Sequence, residues 1–388
     1  MIYFNNNATS YPKPDCVISA VRNNLAEIPV NTYRSGFKAR SVVDMCRGKV
    51  ADLFNVDNLN NIIFTSGSTE ALNLAIFGLE NPKHIITTDI EHNSVLRPLK
   101  ILERDIGLAI TIVGCDDEGF INPAEIEENI IDQTSAIIVN HCSNVTGTIQ
   151  DIDTISKIAR KHQVPFILDA AQSAGAVDID LQKTPVDLLA FTGHKSLFAS
   201  TGIGGLVINS DIYLKPLKVG GTGIRSDYLY QPETMPVYYE AGTHNTVGLA
   251  ALAAGIDYIS EKGIESIHKA KSEIFHIVMN GLKHIPGIIF YGGTGLRNKL
   301  PVINFGLKGI SIADIAFILG ESFDINLRAG LHCAPLIHNS LNSLPQGTVR
   351  LSFSHFNTPT EALYLVEAVS KIANSVETEI ISDHYENN

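Results

Sequence analysis

The chain has 388 residues, of which 45% are hydrophobic and 18% charged, enough apolar material for a large core and too much for a disordered or fibrous protein. That length implies two or three core-bearing units, or one large α/β unit with an appendage. Lys and Arg total 29 against 41 Asp and Glu, a net charge of −12; so acidic a surface repels phosphate backbones, and nucleic acid is not an expected partner.

Short β-branched runs alternate with helical patterns through the first two-thirds of the chain. The run at 62–65 predicts a strand and 68–79 a helix; 84–88 and 93–104, then 109–113 and 123–130, repeat the pair. The rhythm continues with a strand at 136–140, a helix at 151–162, a strand at 166–169 and an apolar run at 187–190. Strand–helix units in this order predict an α/β fold with a mostly parallel central sheet flanked by helices. Beyond 207 the pattern changes. A Gly- and Tyr-rich segment at 220–239 reads as a loop or hairpin, and helices at 247–261 and 264–283 follow. Strands at 288–291, 301–305 and 348–353, with helices at 311–319 and 359–373, predict a smaller α+β domain. We therefore expect a large domain over 15–255, a small domain from 1–14 plus 256–376, and a polar tail at 377–388 that frays.

The five cysteines, Cys16, Cys46, Cys115, Cys142 and Cys333, are scattered without a C-x-x-C pair. This excludes a disulfide framework and the common zinc spacings, so no metal is expected, and it fits a reducing cytoplasm. The N-terminus has no basic region followed by an apolar stretch, and no apolar run approaches the roughly 18 residues of a membrane span. A soluble cytoplasmic protein is expected.

Three places carry chemistry. Thr65-Ser66-Gly67-Ser68-Thr69-Glu70 joins a strand to a helix; it reads either as a Ser/Thr capping box or as backbone N–H groups and hydroxyls offered to an anion. Neither G-x-x-x-x-G-K-[ST] nor an intact G-x-G-x-x-G after a strand is present, which argues against a nicotinamide-binding Rossmann protein. Asp169 ends a buried strand, either capping the next turn or facing a ligand. Lys195 follows Phe191-Thr192-Gly193-His194 at another strand end, and a lysine in a desolvated pocket has a lowered pKa and can form a Schiff base. Asp169 and Lys195 end neighbouring predicted strands and would face one crevice. A lysine, an acid for a ring nitrogen and a phosphate cradle are the three requirements of pyridoxal phosphate.

With those residues in place, the chain resembles the class V (fold type I) pyridoxal-phosphate enzymes of the cysteine desulfurase and selenocysteine lyase group. The matching motifs are Ser66–Glu70, Glu91–Ser94, Ser143–Thr148, Asp169–Gln172, Thr192–Lys195, Glu240–Thr243 and Arg328–Pro335, in order along nearly the whole chain. The resemblance implies that pyridoxal 5'-phosphate is bound as a Schiff base at Lys195, which also moves the Cα proton. It implies Asp169 at the ring nitrogen, Gln172 at the phenolic oxygen and His92 stacked on the ring, with a catalytic part. Ser68, Thr69, Thr192 and His194 are implied phosphate ligands. Thr243 would reach the phosphate of a neighbouring subunit, which implies a homodimer. Asn144 and Arg350 are the implied pair that holds the substrate carboxylate, a task the planar fork of Arg suits, and Arg328 is a further implied substrate-binding residue.

Cys333 sets the subclass. In the desulfurases a thiolate at this position attacks the sulfur of bound L-cysteine, giving an enzyme persulfide and alanine. His332 and Arg328 stand near it and are expected to favour the charged thiol. The segment around Cys333 is short, so a separate protein acceptor of sulfur is expected to dock. Two departures bear on substrate preference: Asn5 and Asn7 replace an acid and an alanine, and His244 stands where proline is usual. Arg225, in a hairpin-like Gly220–Arg225 run, either lines a pocket across a dimer interface or is a solvated surface arginine. The expected activity is conversion of L-cysteine to L-alanine with sulfur passed to Cys333. The alternatives are a selenocysteine lyase, an aminotransferase or β-eliminating lyase in which Cys333 is dispensable, and a degenerate member acting as a sulfur-relay scaffold.

Overall fold

A computed structural model of the chain describes residues 1–26 and 41–386. Its first elements are β1 (Ile2–Tyr3), α1 (Asp15–Ala26), α2 (Val42–Phe54), β2 (Ile62–Thr65), α3 (Ser68–Phe77), β3 (His84–Thr88), α4 (Asn93–Ile106) and β4 (Ala109–Val113). Then come α5 (Pro123–Glu128), β5 (Thr134–Asn140), α6 (Ile152–Lys161), β6 (Phe166–Asp169), β7 (Leu188–Thr192), β8 (Gly204–Ile208), α7 (Thr246–Lys262) and α8 (Ile264–Leu282). The last are β9 (Ile288–Tyr291), β10 (Val302–Leu307), α9 (Ile312–Phe323), β11 (Ile325–Asn326), β12 (Arg328–Gly330), α10 (Ile337–Ser340), β13 (Thr348–Ser352) and α11 (Pro359–Glu386).

The alternating units build a seven-stranded sheet in the order β2-β8-β7-β6-β5-β3-β4. Strands β4, β3, β5, β6 and β7 run parallel, while β8 is antiparallel to both β7 and β2. Successive side chains point to opposite faces. Ile62 and Phe64 therefore join one apolar core while Ile63 joins the other, and Phe166 and Leu168 divide from Ile167 in the same way. Residues of α1, α2, α6 and α7 close the first core, and residues of α3 and α4 the second. A sheet covered on both faces needs strands that are apolar throughout, and β2, β3, β6, β7 and β8 are buried along their whole length.

The smaller unit is an antiparallel sheet in the order β12-β13-β10-β9. Its core gathers Phe4, Phe275, Phe305, Leu319, Val349 and Leu365. Because β1 pairs with β11, the first residues pack with these C-terminal elements. Two boundaries differ from those expected. Residue 255 lies inside α7, whose Ile256 and Ile259 remain in the core of the large sheet, because the helix is continuous to Lys262. At the other end, the backbone of α11 continues as helix to Glu386, through most of the segment whose polarity suggested fraying.

A buried ionic network ties α2 to the loop before α7. Arg47 donates through Nη2 to Glu240 Oε2 at 2.8 Å and through Nη1 to Oε1 at 3.1 Å, and it also reaches the Ile62 carbonyl. Phe64 N donates to the same carboxylate at 2.7 Å, and His244 Nε2 lies 2.9 Å from Glu240 Oε2. His244, the departure from proline, thus faces inward to a buried carboxylate. Burial pushes the Glu240 carboxyl up, but His244 and Arg47 outweigh it and hold it below the usual value. Removing one member of such a pair leaves an uncompensated buried charge, so Arg47→Met is expected to cost about 3–5 kcal/mol. Chemical denaturation checks this; a loss below 1 kcal/mol would mean that the pair behaves as a surface contact.

Candidate active site

The carboxyl ends of the parallel strands β5 and β6 bring Asn140 and Asp169 together, and β7 ends beside them at Thr192. Such ends are where open α/β sheets form their sites, and a cavity of about 320 Å³ opens there. Ser68, Thr69, His92, Asn144, Asp169 and Gln172 line it, as do Thr192, His194, Lys195, Arg328 and Arg350. Thr243 and Cys333 do not line it. Thr243 is exposed on its own chain, and Arg225 is exposed with its guanidinium 4.9 Å from the ring centre of Tyr228.

Lys195 is half-buried, and desolvation of its amine lowers its pKa to about 8; Asp169 opposes the shift, while Arg350 and Arg328 add to it. The Asp169 carboxyl is buried, which raises its pKa, and its Oδ1 accepts from Ala171 N at 2.9 Å. A lysine is nucleophilic only as the free amine. The rate at which the protein captures an aldehyde at Lys195 should therefore climb about tenfold per pH unit below 8 and flatten above it. Stopped-flow absorbance with pyridoxal phosphate measures this, and a climb continuing past pH 10 would show an ordinary lysine.

His92 is the N-cap of α4. Its Nδ1 accepts from Ser94 N at 3.0 Å and so carries no proton, which places the ring N–H on Nε2. Burial, then the charges of Lys195 and Arg328, lower its pKa to about 4, so the ring is neutral at physiological pH. Ser94 Oγ is also 2.8 Å from Thr69 Oγ1, which joins the start of α4 to the start of α3.

Both readings of the Ser66–Glu70 turn hold in part. Glu70 reaches back to Ser66 N at 2.7 Å, as in half a capping box. Yet the N-cap residue is Gly67, and no side chain caps the first turn of α3. Gly67 has φ +152°, a conformation that favours glycine. It lies against β8 so closely that a Cβ on Gly204 would come within 2.7 Å of its Cα. The chain has removed bulk here and left helix N–H groups facing the cavity, the arrangement that receives an anion. His194 adds a buried Nδ1 without a partner, and its pKa falls to about 4 through burial, then Lys195 and Lys13.

Arg350 on β13 is fully buried, and its hydrogen bonds go to neutral atoms: Nη1 to the Asn144 carbonyl at 2.7 Å and Nη2 to Asn5 Oδ1 at 3.2 Å. Its Nε has no partner, and among the described residues no carboxylate pairs with it. Burial, then Arg328, lowers its pKa to about 9. A buried cation surrounded by neutral acceptors is built to meet an anion. Asn144 braces this region, since its Nδ2 donates to the His332 carbonyl at 2.8 Å.

Cys333 stands behind Arg328, whose Nη2 lies 2.9 Å from its Sγ. This gives any negative charge on the sulfur a cationic partner at contact distance. The cysteine's carbonyl accepts from Asn93 N at 2.7 Å, so the segment is pinned to the start of α4. His332 and Cys333 both hold left-handed backbone, with φ +51° and +61°, a cost that marks a shape fixed by its surroundings. The expected help from His332 does not arise. Its ring turns inward to Thr348 Oγ1 at 2.9 Å, and burial holds its pKa well below the usual value, so it brings no charge to the sulfur. Three of the other thiols offer little reactivity: burial pushes Cys46 and Cys115 up to about 12 and Cys142 higher than usual, while Cys16 is exposed on α1, away from the cavity.

Glu91 was legible only as part of a motif. Its buried carboxyl accepts from Thr88 Oγ1 at 2.7 Å and Asn140 N at 2.8 Å, tying the ends of β3 and β5 beneath His92. Burial raises its pKa to about 8. Among the described residues no group of His, Cys, Asp or Glu is arranged to hold a metal ion, and no helix is long and apolar enough to cross a membrane.

Comparison with known proteins agrees with this geometry. The family model described as aminotransferase class-V matches residues 2–365. A probable cysteine desulfurase of Pyrococcus abyssi is 34% identical, over 97% of this chain and 95% of the relative. Another from Methanothermobacter thermautotrophicus is 32% identical, over 94% and 93%. Among solved structures, the apo cysteine desulfurase of Thermococcus onnurineus superposes with a TM-score of 0.89 at 32% identity, covering 96% of this chain and 95% of that one. The cysteine desulfurase CsdA of Escherichia coli gives 0.85 at 26% identity, covering 96% and 94%.

Proposed function

Because this chain belongs to the class-V aminotransferase family, within its cysteine desulfurase group, we propose that it is a pyridoxal-phosphate enzyme that converts L-cysteine to L-alanine and keeps the sulfur on Cys333. The observation that carries this reading is the Arg328–Cys333 contact at 2.9 Å, which sets a thiol beside a cavity holding a desolvated lysine and a buried acid.

The residues present fit the cofactor. The uncapped start of α3 with Ser68 and Thr69, together with Thr192 and the unpartnered Nδ1 of His194, would hold the phosphate. Asp169 would meet the ring nitrogen, His92 one ring face, Gln172 the phenolic oxygen and Lys195 the aldehyde carbon. Pyridoxal phosphate, when bound, supplies an electron sink for bonds at the substrate's α-carbon. Everything else falls to the chain. Arg350, with Asn144 bracing it, holds the substrate carboxylate; Lys195 Nζ takes the Cα proton and returns one; His92, neutral with Nε2–H, keeps the ring face dry. Cys333 Sγ bonds to the substrate sulfur as the substrate's Cβ–S bond breaks and Cβ gains a proton. The products are alanine and a Cys333 persulfide, with no external oxidant or reductant.

Thr243, exposed on its own chain, supports a homodimer in which it reaches the neighbouring phosphate. The pinned Cys333 segment supports an acceptor that comes to the sulfur, in a reducing compartment such as the cytoplasm. Incubating the cofactor-loaded protein with L-cysteine and dithiothreitol should yield alanine and sulfide in equal amounts. Pyruvate and ammonia in place of alanine would mark a β-eliminating lyase and overturn the reading.

A further inference from the structure

The N-terminal edge of the cavity carries a polar group that none of the assigned roles uses. Asn7 lines the cavity and is half-buried, yet its side-chain Nδ2 is sealed from solvent and has no acceptor. A buried donor without a partner is costly, by more than the ordinary worth of a hydrogen bond, and is retained where something absent from the protein completes it. Its backbone is fixed on both sides. Asn7 N donates to Ser352 Oγ at 2.9 Å, and its carbonyl accepts from Gln172 Nε2 at 3.1 Å. The side chain is therefore held between the cofactor-facing strand end and β13.

Arg350 shares this neighbourhood. It lies two residues before Ser352 on β13, so the two project from the same face of that strand. Asn5, two residues before Asn7, holds Arg350 Nη2 at 3.2 Å. Asn5 is neutral, so it orients the guanidinium without cancelling its charge; an acid there would form an internal ion pair and compete with any incoming anion. Asn144, for its part, presents a buried Oδ1, an acceptor, without a partner, while its Nδ2 already donates to the His332 carbonyl at 2.8 Å, so Asn7 Nδ2 is the side-chain amide donor left unengaged near Arg350.

We propose that Asn7 is a specificity-determining residue: its Nδ2 donates to the α-carboxylate of the substrate beside Arg350, while Asn5 leaves that arginine's charge free for the same group. The inference rests on the reading of the cavity as an amino-acid site. It makes the N-terminal edge a determinant of selectivity for substrates with a free carboxylate.

L-Cysteine and cysteamine differ only in that carboxylate, and they separate the effects. On a Cys333→Ala background, where sulfur transfer is blocked, binding of each to the cofactor-loaded protein is read from absorbance. Asn7→Ala should weaken L-cysteine by about tenfold or more, the worth of a hydrogen bond to a charged group, and leave cysteamine within about twofold. Asn7→Asp, the same size but unable to donate, should weaken L-cysteine further by repulsion and again spare cysteamine. Asn5→Asp should act in the same direction through Arg350. Equal losses for both ligands, or unchanged L-cysteine affinity in Asn7→Ala and Asn7→Asp, would overturn the proposal. Should the Asn7-intact protein discriminate between the two ligands yet, with Cys333 restored, form no alanine, the functional reading falls and the carboxylate contact stands.

Discussion

Replacing Lys195 by alanine is expected to lower turnover of L-cysteine by at least about a thousandfold, since a proton carrier and the covalent anchor are lost together. Among the described residues, Lys195 is the lysine that lines the cavity, so no neighbour stands in position to replace it. A thermodynamic signature should accompany the loss. Desolvation lowers this lysine from 10.5 to about 8, so the folded protein without cofactor holds a charge that water would hold better. That cost is full below pH 8, shrinks as the pH rises towards 10.5, and is gone above it. Lys195→Met should consequently make the cofactor-free protein more stable at pH 7, with the gain fading through that window. A destabilised Lys195→Met variant would show that the amine makes a favourable contact, and would undo its assignment as a strained nucleophile.

The second large effect is expected at Cys333. Alanine in its place should cut alanine formation from L-cysteine by about a thousandfold or more, as the loss of a nucleophile does. Cofactor binding should be untouched, because Cys333 does not line the cavity and its sulfur rests against the Arg328 guanidinium. An aminotransferase or β-eliminating lyase would keep its rate with alanine at 333. Selenocysteine is the informative contrast: selenium leaves carbon with less help from a thiolate, so its cleavage should survive in Cys333→Ala if the protein accepts it. Loss of the cofactor band in this variant would mean instead that the segment supports the cavity itself.

The large sheet was readable because its strands are short, apolar runs between helices of recognisable period. What escaped was long-range or weakly patterned. Helix α1 fully buries Val17 alone while exposing Ile18 and Leu25, so its apolar stripe is thin and its place is set by packing on α7. Strand β8 begins Gly204-Gly205, poor strand formers kept because the Gly67 turn and the Phe191 ring lie against them, and its antiparallel insertion between β2 and β7 is a tertiary fact.

The site divides along the same line. Lys195 and Asp169 were legible because residue type and position after a strand already restrict their chemistry, whereas His92 entered only through the resemblance to the family. The direction of a side chain was not. His332 and Arg328 were equal candidates to attend Cys333, and only two successive left-handed residues turn the histidine inward and leave the arginine on the sulfur. Asn7 is a similar case. Its identity was visible as a departure, but the absence of any acceptor for its Nδ2 is a property of the fold.

The most direct measurement is a single turnover. The cofactor-loaded protein, with its cysteines reduced and reductant removed, would be mixed with one equivalent of L-cysteine and quenched. Mass spectrometry of its peptides and quantification of alanine would follow from the same sample. One alanine per active site, with one added sulfur on the peptide containing Cys333 and none on those of Cys16, Cys46, Cys115 or Cys142, is the expected result. Alanine formed with the added sulfur on a cysteine other than Cys333, or pyruvate, ammonia and free sulfide in place of alanine, would contradict it, because sulfur would then leave without passing through the thiol that Arg328 holds.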